Sequence, residues 1–152
     1  GVVDLRRGTR SRLTLDGQGT NAYPLWSRDG RQVFFGSNRG GDWDLYQVSA
    51  GGGPARRLLA QRGNEFPLSE APDGTLLFAR RAKGTGADLW TLSPDGKAAP
   101  LLVSAFSKVG ADFSPDGRMV AYVSDETGRE EVYVCMVARP DDVVAVSTDG
   151  GR

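Results

Sequence analysis

A chain of 152 residues is long enough for one domain with a buried core. Lys+Arg and Asp+Glu are equal at 19 each, so no net field recruits nucleic acid or an anionic membrane. Histidine is absent, which removes Ser-His-Asp and Cys-His catalysis, His-ligated zinc and imidazole proton relays together.

The single cysteine, Cys135, excludes an internal disulfide and a cysteine metal cluster, and in "EVYVCMV" it reads as a small buried thiol. Apolar runs of about five residues fall far short of the length of a membrane span. Arg6, Arg7, Arg10 and Arg12 gather early, but among strand-like residues, as on a solvated strand face. The chain opens on Gly1 with no visible leader, which suggests a trimmed segment and leaves the compartment unread.

In chain order, "GVVDL" (1–5) and "SRLTL" (11–15) fit the third and fourth strands of an incomplete unit. A first whole unit follows as "AYPLW", "RQVFFGS", "DLYQVS" and "ARRLL". The second unit runs "EFPLSEA", "TLLFAR", "DLWTLS" and "APLLV". Its Ser93-Pro94-Asp95-Gly96 is expected in the turn before the fourth strand, where the first unit has Gly51-Gly52-Gly53. The third unit has "VGADF", "RMVAYVS" and "EVYVCMV", with "DETGRE" as a polar loop between the last two. A turn at Arg139-Pro140-Asp141-Asp142 then predicts a last strand at "VVAVS" (143–147). No window sustains helical periodicity.

Two markers keep one register. Asp29-Gly30, Asp73-Gly74 and Asp116-Gly117 are 44 and 43 residues apart. Asp44-Leu45-Tyr46, Asp88-Leu89-Trp90 and Glu131-Val132-Tyr133 repeat at the same 44 and 43. The Asp-Gly pairs belong in turns: Asp bonds backbone ahead of it and Gly supplies positive φ. A four-stranded unit of about 40–45 residues is the signature of a β-propeller blade. The expected fold is therefore all-β: a partial β-propeller of three four-stranded antiparallel blades plus an N-terminal half-blade. It forms one domain over 1–152, divided as half-blade 1–20 and blades 21–64, 65–107 and 108–152.

"YPLWSRDGRQVFFGSNRGGDWDLYQVSAGG" (23–52) and "ADFSPDGRMVAYVSDETGREEVYV" (111–134) resemble TolB-type, WD-repeat-like propeller blades. The shared pattern is an aromatic before Ser-Pro-Asp-Gly, an apolar second strand, a Ser-Asp-x-x-Gly-like loop and an Asp-aliphatic-aromatic third strand. The third unit matches throughout; the first has Arg28 in place of Pro, and the second has Glu70 where an aromatic is usual. The resemblance implies a bacterial, periplasmic or other extracytoplasmic scaffold. The wording is most similar to the extracytoplasmic propeller regions of membrane-anchored serine/threonine kinases. Fold does not fix function, since such blades serve many proteins.

Asp29, Asp73 and Asp116 could suggest a carboxylate ring, but turn chemistry accounts for them. Asp42 and Asp44 share the two-residue spacing of calcium loops without the further oxygen ligands or the closing Glu, so no metal or other cofactor is expected. Paired carboxylates could hydrolyse glycosides, yet most acids here hold repeat positions. Phe34, Phe35, Tyr46, Phe78, Trp90, Tyr122 and Tyr133 recur at strand positions, as inter-blade packing requires. The residues that differ between units sit on the first strands, which line a propeller's channel. Asn21, Tyr23, Glu65, Phe66, Lys108 and Val109 are the candidate binding residues there.

The leading expectation is a non-catalytic module that binds a protein, peptide or other ligand at its channel face, with no nucleic acid and no membrane insertion. The alternative is the substrate-gating propeller of a prolyl-oligopeptidase-like serine peptidase; with no Gly-x-Ser-x-Gly elbow in these residues, chemistry would lie elsewhere. Three and a half blades leave apolar end faces and unpaired strand edges, so a homo-oligomer, most simply a ring-closing dimer, is expected.

Overall fold

The computed structural model describes residues 2–4, 9–13, 19–82, 86–103 and 108–146, with backbone placement alone for 2–4, 9–11, 108 and 109. Among them are fourteen strands. β1 (Val2–Asp4) and β2 (Thr9–Ser11) form a two-stranded antiparallel sheet. β3 (Asn21–Trp26), β4 (Gln32–Gly40), β5 (Asp42–Ser49) and β6 (Arg56–Arg57) make the first four-stranded sheet. β7 (Asn64–Glu70), β8 (Leu76–Arg81), β9 (Ala87–Leu92) and β10 (Ala98–Leu102) make the second. β11 (Lys108–Phe113), β12 (Met119–Ser124), β13 (Glu131–Met136) and β14 (Arg139–Ala145) make the third. Each is an antiparallel meander with strands adjacent in chain order, the arrangement that the repeat predicts.

The repeat markers occupy equivalent places. After each first strand, the Gly amide of Gly30, Gly74 or Gly117 donates to the carbonyl three residues back, on Ser27, Ala71 or Ser114. The Oδ1 of Asp29, Asp73 or Asp116 accepts from the amide two residues on, at 2.9, 2.9 and 3.0 Å. The Ser27 hydroxyl, donating at 2.6 Å, with the Arg31 amide at Asp29, and chiefly the amides at Asp73 and Asp116, hold the carboxyls below the ordinary Asp range. The Ser93–Gly96 turn makes the same bonds between β9 and β10, where the sequence placed it. Across the second and third strands, Phe35–Tyr46, Phe78–Trp90 and Tyr122–Tyr133 are in register and pack ring on ring, with centroids 5.8, 6.4 and 5.6 Å apart. Such cross-strand aromatic pairs are the unit of sheet stabilisation, repeated once per blade.

The core lies between the sheets. Phe34, Leu45, Leu76, Phe78 and Leu92 join the first sheet to the second. Ala71, Leu77, Leu89, Phe113, Val120, Tyr122, Tyr133 and Cys135 belong to the cluster joining the second to the third. Cys135 is the buried thiol expected, its ionisation suppressed by burial. Of the first strands, β7 packs against β3 on one side and β11 on the other, so the three inner strands lie side by side.

Two elements depart from expectation. β14 starts at Arg139, paired with Met136, so the turn is Val137-Ala138 and Pro140 lies inside the strand. Residues 140–142 bulge out before Val143 pairs with Cys135. An outermost strand accommodates a proline because its free edge needs no amide donor. The second short strand falls at Thr9–Ser11, earlier than "SRLTL", because Thr9 pairs with Asp4 to close the hairpin; residues 14 and 15 lie outside the described residues.

Candidate functional site on the inner strands

The three inner strands carry equivalent positions with unlike residues. Each has a break in register: Ala22/Leu25 in β3, Pro67/Ser69 in β7 and Lys108/Ala111 in β11. Tyr23 and Gly110 hold the same place in the break, each four residues before the Ser that opens the Asp-Gly turn. Both are left-handed, with φ of 58° and 89°. For glycine this costs little, but for tyrosine it costs on the order of 1 kcal/mol. Among the described residues Tyr23 is the one non-glycine with positive φ.

The bulge turns Tyr23 outward, where it is 54% exposed. Its ring meets Phe66 edge-on at 4.7 Å and Trp43 at 6.0 Å, and Trp43 lies 5.8 Å from Phe66. Thus β3, the β4–β5 corner and β7 each contribute one ring to a single aromatic platform. Asn64 fixes the corner by accepting from the Trp43 amide at 3.0 Å. Asn21, beside Tyr23, accepts from Arg39 Nη2 at 3.0 Å, and Arg39 also lies over the Tyr46 ring at 4.7 Å.

Beneath the platform is an acidic pair. Glu65 alternates with Asn64 and Phe66 and faces inward; it is 0% exposed, and neither carboxyl oxygen has a hydrogen-bond partner. Burial, reinforced by the nearby Asp44 charge, raises its pKa to about 8 against the opposing pull of Arg80, Arg57 and the Leu45 backbone. At neutral pH Glu65 is therefore protonated. Asp44 is 1% exposed; its Oδ2 accepts from Arg57 Nη2 at 2.6 Å, while its Oδ1 is unpartnered. Burial outweighs Arg57 and shifts Asp44 upward too. Arg57 is thus the basic partner of this acid.

Flanking the platform is a cleft of about 640 Å³ lined by Asp42, Arg62, Gly63, Asn64, Arg80, Arg81 and Ala82. Arg80 is anchored: Nε and Nη2 donate to the Arg62 carbonyl at 3.0 and 2.7 Å, and its guanidinium lies 5.2 Å from the Trp90 ring centre. Gly63, at φ 99°, lets the backbone close on Arg81: an added Cβ would stand 2.5 Å from the Arg81 carbonyl oxygen.

The structure brings Tyr23, Phe66, Asn21 and Glu65 to one region. Glu65 is the buried support of that surface and offers no contact itself. The side chains of Lys108 and Val109 lie outside the described residues; the backbone puts Lys108 in the place of Asn21 and Glu65, each opposite a residue of the second strand. Sequence reasoning missed Trp43 and the arginine cleft. A signal for Trp43 existed, since the residues preceding the other two third-strand acids are Ala87 and Glu130.

The family model described as "TolB beta propeller domain" matches residues 2–150. The Tol-Pal system protein TolB of Francisella tularensis subsp. tularensis is 28% identical over 118 residues, covering 76% of this chain and 27% of that protein. TolB from Acinetobacter baumannii superposes with a TM-score of 0.82 at 22% identity, over 99% of this chain and 37% of its own. A prolyl endopeptidase structure superposes with a TM-score of 0.69 at 16% identity, over 96% of this chain and 24% of its own. Identities below a quarter carry the fold alone, and the chain spans about a quarter of its Francisella relative. With the match running nearly end to end over three repeated blades, the chain belongs to the TolB β-propeller domain family.

Proposed function

We propose that the chain is a non-catalytic propeller module that receives a protein or peptide on its inner-strand face. The observation that carries this reading is Tyr23. A bulky residue sits where the third blade has glycine, in a left-handed conformation, and its ring is exposed on a platform with Phe66 and Trp43. Strain kept at an exposed aromatic is a mark of recognition. Membership of a family that includes a Tol-Pal system protein supports a protein partner and an extracytoplasmic location. The turn aspartates are committed to backbone amides and Asp44 to Arg57, which supports the non-catalytic part of the reading.

Site-specific photocrosslinking in cells that produce the protein tests it. A crosslinker at Tyr23 or Phe66 is expected to trap a partner, and one at Lys97, exposed in the turn between β9 and β10, is not. Adducts at Lys97 alone would reverse the assignment.

The prolyl-endopeptidase superposition favours a second reading, a propeller that gates a separate peptidase domain. The flanking gene sequence separates the two: a hydrolase domain downstream supports gating, a kinase and membrane span upstream a sensor. We also assign the free face of the third sheet, where Met119, Met136 and Val144 are exposed, to contact with a further blade, most simply that of a second copy. A dimer in light scattering at micromolar concentration is expected; a monodisperse monomer overturns it.

A further inference from the structure

The arginine cleft adjoins the aromatic platform on the same side of the second sheet. Asn64 and Phe66 are two apart on β7 and share a face, and Arg81 stands directly opposite Asn64 on β8. The cleft therefore continues the platform along the strand. Its lining holds three arginines against one carboxylate, that of Asp42. Arg80 is committed to the Arg62 carbonyl and to Trp90. Neither Arg62 nor Arg81, both exposed, commits its guanidinium to a carboxylate among the described residues. The acids beneath do not cancel this charge: Glu65 is sealed under the platform and Asp44 is already paired with Arg57.

We propose that this face binds an acidic peptide segment of a partner protein, an apolar or aromatic side chain seated on Tyr23, Trp43 and Phe66 and neighbouring Asp or Glu carboxylates meeting Arg62 and Arg81. This rests on the protein-binding reading above and adds the chemistry of the partner. Guanidinium forks match carboxylates in two-point geometry. An extended ligand advances about 3.3 Å per residue, so side chains two apart on it match the Phe66-to-Asn64 spacing of β7. The Asn64 bond to the Trp43 amide and the close approach that Gly63 allows at Arg81 fix platform and cleft to each other before any ligand arrives, which lowers the ordering cost of binding.

The test is fluorescence anisotropy of the purified protein with a labelled peptide carrying one phenylalanine among glutamates. A lysine-for-glutamate peptide and single-stranded DNA are the controls. The acidic peptide is expected to bind, to weaken about tenfold or more in the Arg62→Ala/Arg81→Ala double variant, and to weaken with added salt. Trp43→Ala should lower affinity without changing the salt dependence. The charge-reversed pair Arg62→Glu/Arg81→Glu should exchange the preference and bind the lysine peptide. Circular dichroism melting checks that the substitutions at exposed Arg62 and Arg81 and at half-buried Trp43 leave the fold intact. Equal binding of both peptides, an unchanged double variant, competition by DNA as strong as by peptide, or no binding of the acidic peptide would each overturn the proposal. Crosslinking at Tyr23 that persists in the double variant would retain the protein-binding reading while removing the acidic chemistry.

Discussion

The Asp-Gly turns and the inner strands that lead into them follow opposite rules. In the turns, three blades place the same Asp-Gly pair in the same bonds, down to the Asp oxygen that accepts from the amide two residues on. On the inner strands, equivalent backbone positions carry Asn21, Glu65 and Lys108, or Tyr23 and Gly110. Repetition with identical bonding marks what every blade needs to fold. Divergence at a shared backbone geometry, above all where it adds strain or buries an unpartnered acid, marks what one blade does by itself. Substitutions in the two regions should then differ in sign as well as size.

The largest effect is expected at Glu65. Its pKa rises from an ordinary 4.5 to about 8 in the folded chain. In that window the folded protein holds a proton that the unfolded chain releases. The benefit of burying a neutral carboxyl is complete below about 4.5 and is lost as pH rises through about 8. Stability should therefore decline across this range, by up to about 1.4 kcal/mol per pH unit for this one group. Glu65→Gln cannot ionise. It should flatten the alkaline limb and be the more stable form at pH 9 by about 2 kcal/mol or more. Urea midpoints at pH 5, 7 and 9 measure this, and parallel curves for both proteins would refute it. The turn aspartates act in the opposite sense: their depressed pKa values contribute stability above the ordinary carboxyl range that is lost as pH falls through the folded values.

Next in size is a contrast within the turns. Gly117 and Gly30 share left-handed backbone, at φ 76° and 72°. At Gly117 an added Cβ would lie 3.0 Å from Pro72 and 3.1 Å from Ala71 of the neighbouring blade, whereas at Gly30 nothing lies within 4 Å. Gly30→Ala should cost about 1 kcal/mol for conformation alone, and Gly117→Ala about 2 kcal/mol, since the blade contact must also give. Equal melting shifts for the two would mean that the turn does not help dock the third blade on the second.

What was legible in the sequence follows the same division. The Asp-Gly and acid-aliphatic-aromatic markers placed the turns and the strand order, because those features are local and thrice repeated; the recurring aromatics were read as inter-blade packing, and their pairing across the second and third strands of each blade was not foreseen. Tyr23 and Phe66 stood out as non-repeating residues on inner strands. The left-handed φ of Tyr23 could not be read, since nothing in "NAYPLW" signals a bulge as Gly110 does in "VGADF". The burial of Glu65 depends on a neighbouring blade closing over it, and the union of Trp43 with Phe66 depends on the β4–β5 corner reaching across to β7. The start of β14 was missed because Pro140 signals a turn unless the strand is known to be the outermost.

The smallest effect on stability is the sharpest in meaning. Tyr23 and Gly110 occupy one backbone conformation, so Tyr23→Gly removes the left-handed penalty, worth about 1 kcal/mol. Against this, glycine gives up the edge contacts with Phe66 and Trp43, worth about 0.5–1.5 kcal/mol for aromatic pairs. The two nearly cancel, and the melting temperature should move by only a few degrees in either direction. Partner capture should fall by an order of magnitude or more, because the ring that leaves is the exposed one. Tyr23→Phe keeps ring and strain and should keep both stability and capture. A Tyr23→Gly protein that melts far lower would make the ring a structural brace of the first two blades. One that retains full capture would leave the strain at Tyr23 without a function.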